Sequence, residues 1–459
     1  MTAQRSTRRL SGKGPLDRGA TGRDPDRTAA APAAPRREAR PTGATRVLRG
    51  PQRERHEPDY LVLVCVTALT AIGLLMIYSS GGVATAIRTG GDPFGAVATQ
   101  LGWSAVGLAG MTLLMRLDYR YLRLASVPFY LFTLILLLLV LLPPLGPIAP
   151  VEKYGSTRWL QIGPLPTVHP AEIAKLAMVV YLAHWLAKQG MQIRSLVHGL
   201  LPFLLLSGLC IGLVALEPDL GTTGVLAFSA VTLVFVAGAR LWHLALLLPV
   251  GAVALVAYVS INAYQMRRWT TFLDPWSDPL VSGFQTVQGL LSLGLGGILG
   301  IGLGQSARPG SLTLPNAHND FIFALIGQEL GLAGGITVIA LFLVLAYRGV
   351  RVALGAPDTF GALLATGITA WLAFQGLINI GVVLNLLPIT GITLPFVSDG
   401  GSSLVVSFMA VGILLSISRE TLARGTWNDA DPDRGRGYGR PHLPRPGRPS
   451  LLIRAGRRP

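Results

Sequence analysis

Between Asp59 and Arg419 the chain alternates long apolar stretches with short polar breaks about ten times. A helix needs about 20 mostly apolar residues to cross a hydrocarbon core. Stretches near 60–79, 96–115, 124–144, 171–187, 198–216, 219–238, 241–260, 319–347, 360–385 and 396–417 have or approach that length. The chain is 51% hydrophobic and 14% charged, with a mean hydropathy of +0.51, too little charge to coat a water-facing surface of the usual density. The expected fold class is therefore an all-α polytopic membrane protein of about ten transmembrane helices, with a large extracytoplasmic loop.

The net charge of +16 suggests a nucleic-acid binder until it is located along the chain. Residues 1–58 hold fourteen Lys/Arg against six Asp/Glu, and residues 419–459 hold ten against four, so the tails carry +8 and +6 and the body only +2. Both tails are rich in Pro, Gly, Ala and Arg without apolar periodicity. They read as disordered basic cytoplasmic tails suited to an anionic leaflet, with no nucleic acid as partner. The membrane body then runs over 59–418. Cys65 and Cys210 lie within apolar spans, which argues for buried thiols and against a disulfide framework. No early apolar stretch with a small-residue cleavage site precedes the first span, which is expected to be an anchor.

Orientation follows from the breaks. One set contains Arg116, Arg120, Arg123, Lys188, Arg194, Arg240, Arg348 and Arg351 alongside the basic tails, and is expected to face the cytoplasm. The opposite breaks hold Arg88, Lys153, Arg158, Arg267, Arg268 and Arg308, fewer per residue. An even number of spans puts both termini on the cytoplasmic side. The longest outward break, 261–318, contains SGFQTVQGLLSLGLGGILGIGLGQ at 282–305, apolar but too glycine-rich for a straight span. It is expected to be re-entrant or interfacial, its backbone covered by protein or a wet cavity.

Charged groups in or beside spans are costly and so are functional candidates. Glu172 and Lys175 sit three apart on one helical face, as an internal ion pair or as part of a polar cavity. In EPDLG at 217–221 a tight hairpin joins two spans, and Asp219 reads as a helix cap. Asn319 or Asp320 reads as a cap for the next helix, with His318 facing the loop. MRRWTTFLDPWSDP at 266–279 sets Arg267 and Arg268 before two Asp-Pro pairs. Guanidinium forks suit phosphate oxygens, and Asp274 or Asp278 could accept a proton from an attacking hydroxyl, although Asp-Pro is also turn chemistry. LPFVSDGGSS at 394–403 reads as close backbone packing with a Ser cap, or as a weaker phosphate nest. No nucleotide-binding loop, nucleophile elbow or zinc spacing accompanies these residues.

Together these segments resemble the SEDS family (shape, elongation, division and sporulation proteins: FtsW, RodA and SpoVE). The resemblance runs from about Asp59 to Arg424 through STRWLQIG (156–163), HPAEIAKLAMVVYLA (169–183), EPDLGT (217–222), RRWTTFLDPWSDPLVSGFQTVQ (267–288), LPNAHNDFIFALIGQELGL (314–332) and LPITGITLPFVSDGGSSL (387–404). The fifth segment looks more FtsW-like than RodA-like. The chain departs from the family pattern at His169 for Gln, Phe284 for Tyr, Asn319 for Thr, Gln328 for Glu and Asp399 for Tyr.

The resemblance implies a peptidoglycan glycosyltransferase of the bacterial cytoplasmic membrane. It would polymerise lipid II at the outer face and release undecaprenyl diphosphate, in cell division or elongation and cell-shape control. Asp278 is the catalytic residue the resemblance implies. The implied substrate-binding set is Arg158, Glu172, Lys175, Arg267, Arg268, Gln285, His318, Asp320, Ser402 and Ser403. Mg²⁺ or another divalent cation would help hold the diphosphate, with ligands the sequence leaves unknown and no organic cofactor. The implied partners are a class B penicillin-binding protein transpeptidase and divisome regulatory proteins. Two rivals remain at this point: a lipid II flippase using Glu172, Lys175 and Glu217, and a non-catalytic scaffold for the transpeptidase.

Overall fold

The computed structural model describes residues 53–55, 57–82, 92, 94–144, 148–153, 156–164, 166–307 and 317–422. Most of both basic tails lies outside the described residues, so their expected character is not addressed by the fold. So do Arg88 and Arg308 of the outward breaks.

Twelve helices account for most of the described chain: α1 (Tyr60–Ile77), α2 (Gly95–Arg116), α3 (Tyr121–Leu141), α4 (Pro170–Gln189), α5 (Leu201–Leu216), α6 (Leu220–Val236), α7 (Leu241–Ile261), α8 (Ala263–Leu273), α9 (Phe284–Gly296), α10 (Ile322–Gly355), α11 (Thr359–Val383) and α12 (Gly401–Ser418). Each of the ten expected spans coincides with one long helix, and α8 and α9 belong to the outward loop. Eight helices are long and apolar enough to cross a membrane. The other two are the 17-residue α6 and α4, which carries Glu172, Lys175 and Lys188.

Alternate helix ends gather at one face of the bundle. Asp59 caps α1 by accepting from the Leu61 and Val62 amides and also takes the Arg348 guanidinium from α10, with Nε at 2.8 Å. Arg120 reaches Glu420 at 2.7 Å, Arg123 reaches Asp358 at 3.1 Å, and the Tyr119 hydroxyl donates to Asp358 at 3.0 Å. Strand β1 (Arg53–Arg55) pairs antiparallel with β4 (Glu420–Leu422), bringing the two ends of the body together. Between them in sequence, β2 (Ile148–Lys153) and β3 (Ser156–Ile162) form a hairpin with a register shift at Val151/Glu152. That hairpin, unforeseen from hydropathy, presents Arg158 at the opposite face.

The core lies around α11 and α12, whose apolar windows are 67% and 72% buried. Small residues bring helices together where no hydrophobic force acts in lipid. A Cβ at Gly107 of α2 would come within 2.5 Å of Phe408, and one at Gly412 of α12 within 2.5 Å of the Met111 carbonyl. At the periphery, α7 has only 6% of its window buried. Cys65 and Cys210 are free and buried, as expected.

Two expected boundaries are corrected. The span placed at 319–347 begins at Ile322 and breaks at Gly331, where φ is 67°. Its first leg is buried on all sides, down to Gln328 and Glu329. The amides freed by the break, Leu332 and Ala333, donate to the Gly297 and Ile298 carbonyls, while Ile301 and Gly302 donate to the Gln328 and Glu329 carbonyls. This is why 282–305 needs its glycines: a Cβ at Gly296 would lie 1.8 Å from the Gly327 oxygen, and one at Gly300 2.1 Å from the Glu329 oxygen. The second correction concerns the last span. It begins at Gly401, and 387–400 is non-helical, buried at 392 and 394–398 and half-buried or exposed elsewhere. No serine caps it: the capping position is Gly400, without a side-chain bond.

Candidate active site

Polar groups outside the ion-pair face collect around the non-helical backbone of 387–400. Buried carbonyls need partners, and four side chains supply them. Arg268 Nη1 donates to Ile389 O at 3.0 Å, Asn379 Nδ2 to Ile392 O at 2.8 Å, Gln375 Nε2 to Thr393 O at 2.9 Å, and Gln100 Nε2 to Ser398 O at 3.2 Å. None of Gln100, Gln375 or Asn379 was a sequence candidate. Their only signal was an amide side chain inside an otherwise apolar span.

A first group forms where α4 starts. Lys175 Nζ lies 2.6 Å from Glu172 Oε2 and donates to Gln375 Oε1 at 2.7 Å, with the Trp371 ring 5.3 Å away. The expected ion pair is therefore present and also tied to α11. Arg158 donates to the Glu217 carbonyl at 3.2 Å and the Pro218 carbonyl at 2.6 Å, clamping the α5–α6 hairpin. Asp219 caps α6 through the Thr222 amide at 3.0 Å, as expected. Burial alone would raise the Asp219 carboxyl, but Arg158, His169 and the Thr222 bonds outweigh it and hold it below the usual carboxylate range. Glu217 is pushed up to about 9, chiefly by burial and then by Asp219, and neither of its oxygens has a partner. Ser402 Oγ accepts from the His169 amide at 3.4 Å, and Ser403 Oγ meets Thr393 Oγ1 at 2.9 Å.

A second group forms where α8 meets the first turn of α10. The Arg268 guanidinium stacks on Tyr264 and bonds its hydroxyl. Arg268 and Asp320 converge on Gly391: a Cβ there would lie 3.9 Å from both Arg268 Nη2 and Asp320 Oδ2. Asp320 caps nothing, because the capping position of α10 is Phe321, without a side-chain bond. Burial raises the Asp320 carboxyl to about 6, against the opposing pull of its own backbone, Arg268 and a Gln285 hydrogen bond. Asn379 holds the Asp320 carbonyl at 2.8 Å. The two groups join through Gln265, which donates to the Pro218 carbonyl at 3.0 Å, and through the mutual electrostatic influence of Arg268 with Arg158 and Asp219.

The other sequence candidates lie differently. Asp278 Oδ2 accepts from the Ser282 amide and hydroxyl, both at 3.1 Å, in a turn closed by Gly283 N to Asp278 O at 2.9 Å. Asp274 Oδ1 accepts from the Trp276 amide at 3.2 Å. Both Asp-Pro pairs thus perform turn chemistry. Arg267 is exposed and does not share the inward course of Arg268, as successive residues on a helix diverge by about 100°. His318 accepts the Asp399 amide at its carbonyl, 3.0 Å away, and the His318 ring moderates a burial-driven rise at the Asp399 carboxyl.

Among the described residues no cluster of three or more His, Cys, Asp or Glu side chains could hold a metal ion. No step is assigned to the divalent cation expected with a diphosphate.

Chemically, the arrangement sets one carboxylate of raised basicity and one half-buried guanidinium on either side of Gly391. Known proteins resemble the chain over most of its length. Residues 59–423 match the family model for the FtsW, RodA and SpoVE cell cycle proteins. The chain is 41% identical over 371 residues to stage V sporulation protein E of Bacillus subtilis, covering 80% of this chain and 98% of that one. It is 38% identical over 363 residues to a probable peptidoglycan glycosyltransferase FtsW of Geobacter, covering 78% and 96%. Its fold superposes with a TM-score of 0.64, at 30% identity and over 79% and 98% of the two chains, on a chain solved in a study of how a peptidoglycan synthase complex coordinates polymerization and crosslinking. The protein is a multi-pass membrane member of the FtsW/RodA/SpoVE family.

Proposed function

We propose that this protein is a peptidoglycan glycosyltransferase that polymerises lipid II at the outer face of the bacterial cytoplasmic membrane. Asp320 is the base. The convergence of Asp320 and Arg268 on Gly391 carries this reading, and the names of its relatives support the activity. Asp320 takes the proton of the acceptor sugar's 4-hydroxyl. The oxygen attacks the anomeric carbon of the donor, and the bond from that carbon to the diphosphate breaks with its electron pair leaving on undecaprenyl diphosphate. A carboxyl raised to about 6 is ionised at neutral pH yet more basic than an ordinary aspartate, which suits a general base. Arg268 lies where the developing phosphate charge needs a cation, and the exposed Arg267 offers a second, outer one.

Asp278 was the base implied by resemblance. Its Oδ2 accepts from Ser282 while Asp320 is bonded by Gln285, so hydrogen bonding does not separate the two and the preference for Asp320 rests on its approach to Arg268 across Gly391. The experiment is polymerisation of labelled lipid II by purified protein together with a class B penicillin-binding protein, comparing wild type, Asp320→Asn and Asp278→Asn. Polymer from wild type and Asp278→Asn but not from Asp320→Asn is expected. Loss in Asp278→Asn alone would return the role to that residue, and no polymer from any would leave the flippase or scaffold reading.

Further proposals follow from the same reading. The face holding Arg116, Arg120, Arg123, Arg348 and Arg351 is cytoplasmic, which puts both ends of the body inside. A transpeptidase and the divisome regulators are its partners, by analogy with the synthase complex in which a similar chain was solved. A divalent cation, if used, would arrive with the diphosphate.

A further inference from the structure

We propose that the cavity at the ion-pair face of the bundle binds the head group of a zwitterionic phospholipid, one that joins a primary ammonium to a phosphodiester. The cavity measures about 620 Å³ and opens between the start of α1, the end of α10 and the end of α12. Five charged side chains line it: Glu57, Asp59 and Glu420 against Arg348 and Arg351. Three of them already have partners in the protein. Asp59 and Arg348 hold each other, with Arg348 Nε at 2.8 Å, and Glu420 takes Arg120 at 2.7 Å. Glu57 and Arg351 are left, and among the described residues neither belongs to an ion pair. One lone anion and one lone cation therefore line the same space without neutralising each other.

Each charge suits one half of such a head group. Arg351 presents a planar fork of donors that matches phosphate oxygens. Glu57 accepts from the Tyr60 hydroxyl through Oε2 at 2.7 Å, which leaves Oε1 for an ammonium, a group with three N–H donors. An anionic head group would satisfy Arg351 but set a like charge before Glu57. A quaternary ammonium would bring charge to Glu57 but no N–H to donate. A primary ammonium joined to a phosphodiester answers both. The walls extend the fit toward the acyl chains. Tyr60, Leu61 and Val64 of α1 are exposed, as are Tyr347 and Leu354 of α10, which stand four before and three after Arg351 on one helical face. An exposed apolar stripe at the end of a span is what acyl chains cover, and Tyr and Arg beside it belong at head-group level. The cavity draws on none of the residues assigned to polymerisation, so the lipid site stands or falls apart from the glycosyltransferase reading.

The test is native mass spectrometry of the full-length protein released from mixed micelles that hold equal amounts of phosphatidylethanolamine, phosphatidylcholine and phosphatidylglycerol. Wild type is compared with Glu57→Gln and Arg351→Gln. Wild type is expected to retain phosphatidylethanolamine about tenfold over each of the other two, the scale of one charge-assisted hydrogen bond. Glu57→Gln should lose most of that preference and hold phosphatidylglycerol more readily than wild type does. Arg351→Gln should weaken retention of all three. Both side chains are exposed, so Tm is expected to stay unchanged, and measuring it alongside separates lost binding from lost folding. Equal retention of the three by wild type, or first place for phosphatidylglycerol, would overturn the proposal. A preference for phosphatidylethanolamine that survives in both variants arises elsewhere on the protein and would also overturn it. If Arg351→Gln fails to fold, the Glu57→Gln comparison decides alone, because it tells an ammonium contact from general lipid binding.

Discussion

Two non-helical stretches interrupt the bundle, 297–302 and 387–400, and they solve the same problem by opposite means. In both, backbone amides and carbonyls have left a helical ladder and must find partners. The first closes backbone to backbone on the broken turn of α10, with Ile298 and Leu299 turned outward. The second adds to its backbone bonds, such as the Asp399 amide on the His318 carbonyl, the side chains of Arg268, Asn379, Gln375 and Gln100. Glycine closure is compact and leaves no polar head groups behind. Side-chain closure ties a guanidinium and three amides to one strip of chain and sets Asp320 among them. On the proposed reading the chemistry belongs to the second stretch, and the first is its neighbour, pinned further by Glu329 to Ser79 and Ser306.

The sharpest way to break this comparison is to remove the proposed base. Asp320→Asn is expected to lower lipid II polymerisation by about 10²–10⁴-fold, the usual range for a general base, with membrane insertion unchanged. Gly300→Ala attacks the other stretch. At φ 82°, with a backbone oxygen 2.1 Å from the new Cβ, the variant has no side chain to push aside. A loss upwards of about 4 kcal/mol is expected, read as a large fall in Tm or failure to accumulate folded protein. A Gly300→Ala protein as stable as wild type would show that the glycine closure is dispensable.

Asn379→Leu tests the side-chain closure at intermediate cost. It strips the donor from the Ile392 and Asp320 carbonyls, both at 2.8 Å, and should cost roughly 2–4 kcal/mol for two buried acceptors left unpaired. Polymerisation should fall along with stability, because Asp320 loses the contact that fixes its backbone. Retained activity in a destabilised protein would separate the scaffold from the site.

What the sequence could disclose depended on whether a feature has a period or a local signature. Span positions follow from apolar length, the Glu172–Lys175 pair from a three-residue spacing, and the Asp219 cap from a hairpin preceding a helix. The strip 387–400 had neither, since LPITGITLPFVSDG is apolar enough to be read into the neighbouring spans. Gln375 and Asn379 are single amides in apolar helices, and nothing local says what they face. Asp-Pro pairs are equally compatible with turn chemistry and catalysis, and the preference for Asp320 over Asp278 rests on its convergence with Arg268 on Gly391. Glu57 and Arg351 line one cavity from distant parts of the chain, a relation no local pattern encodes.

The smallest expected effect concerns pH, and it is centred on Asp320. Asp320 has its carboxyl raised to about 6 in the folded protein, above the ordinary value near 3.9 of an unfolded chain. The folded state thus holds this proton more tightly. The associated stability is fully present below the unfolded value and is lost as pH rises through about 6. Asp320→Asn mimics the protonated form at every pH. It should therefore be the more stable protein at pH 7.5, by something on the order of 1–2 kcal/mol after allowance for partial exposure, with the gap closing toward pH 4. Tm measured for wild type and Asp320→Asn between pH 4 and about pH 7.5 checks this. If Asp320→Asn gains nothing over wild type at pH 7.5, the carboxyl is not held in a desolvated site, and its claim to be the base weakens with it.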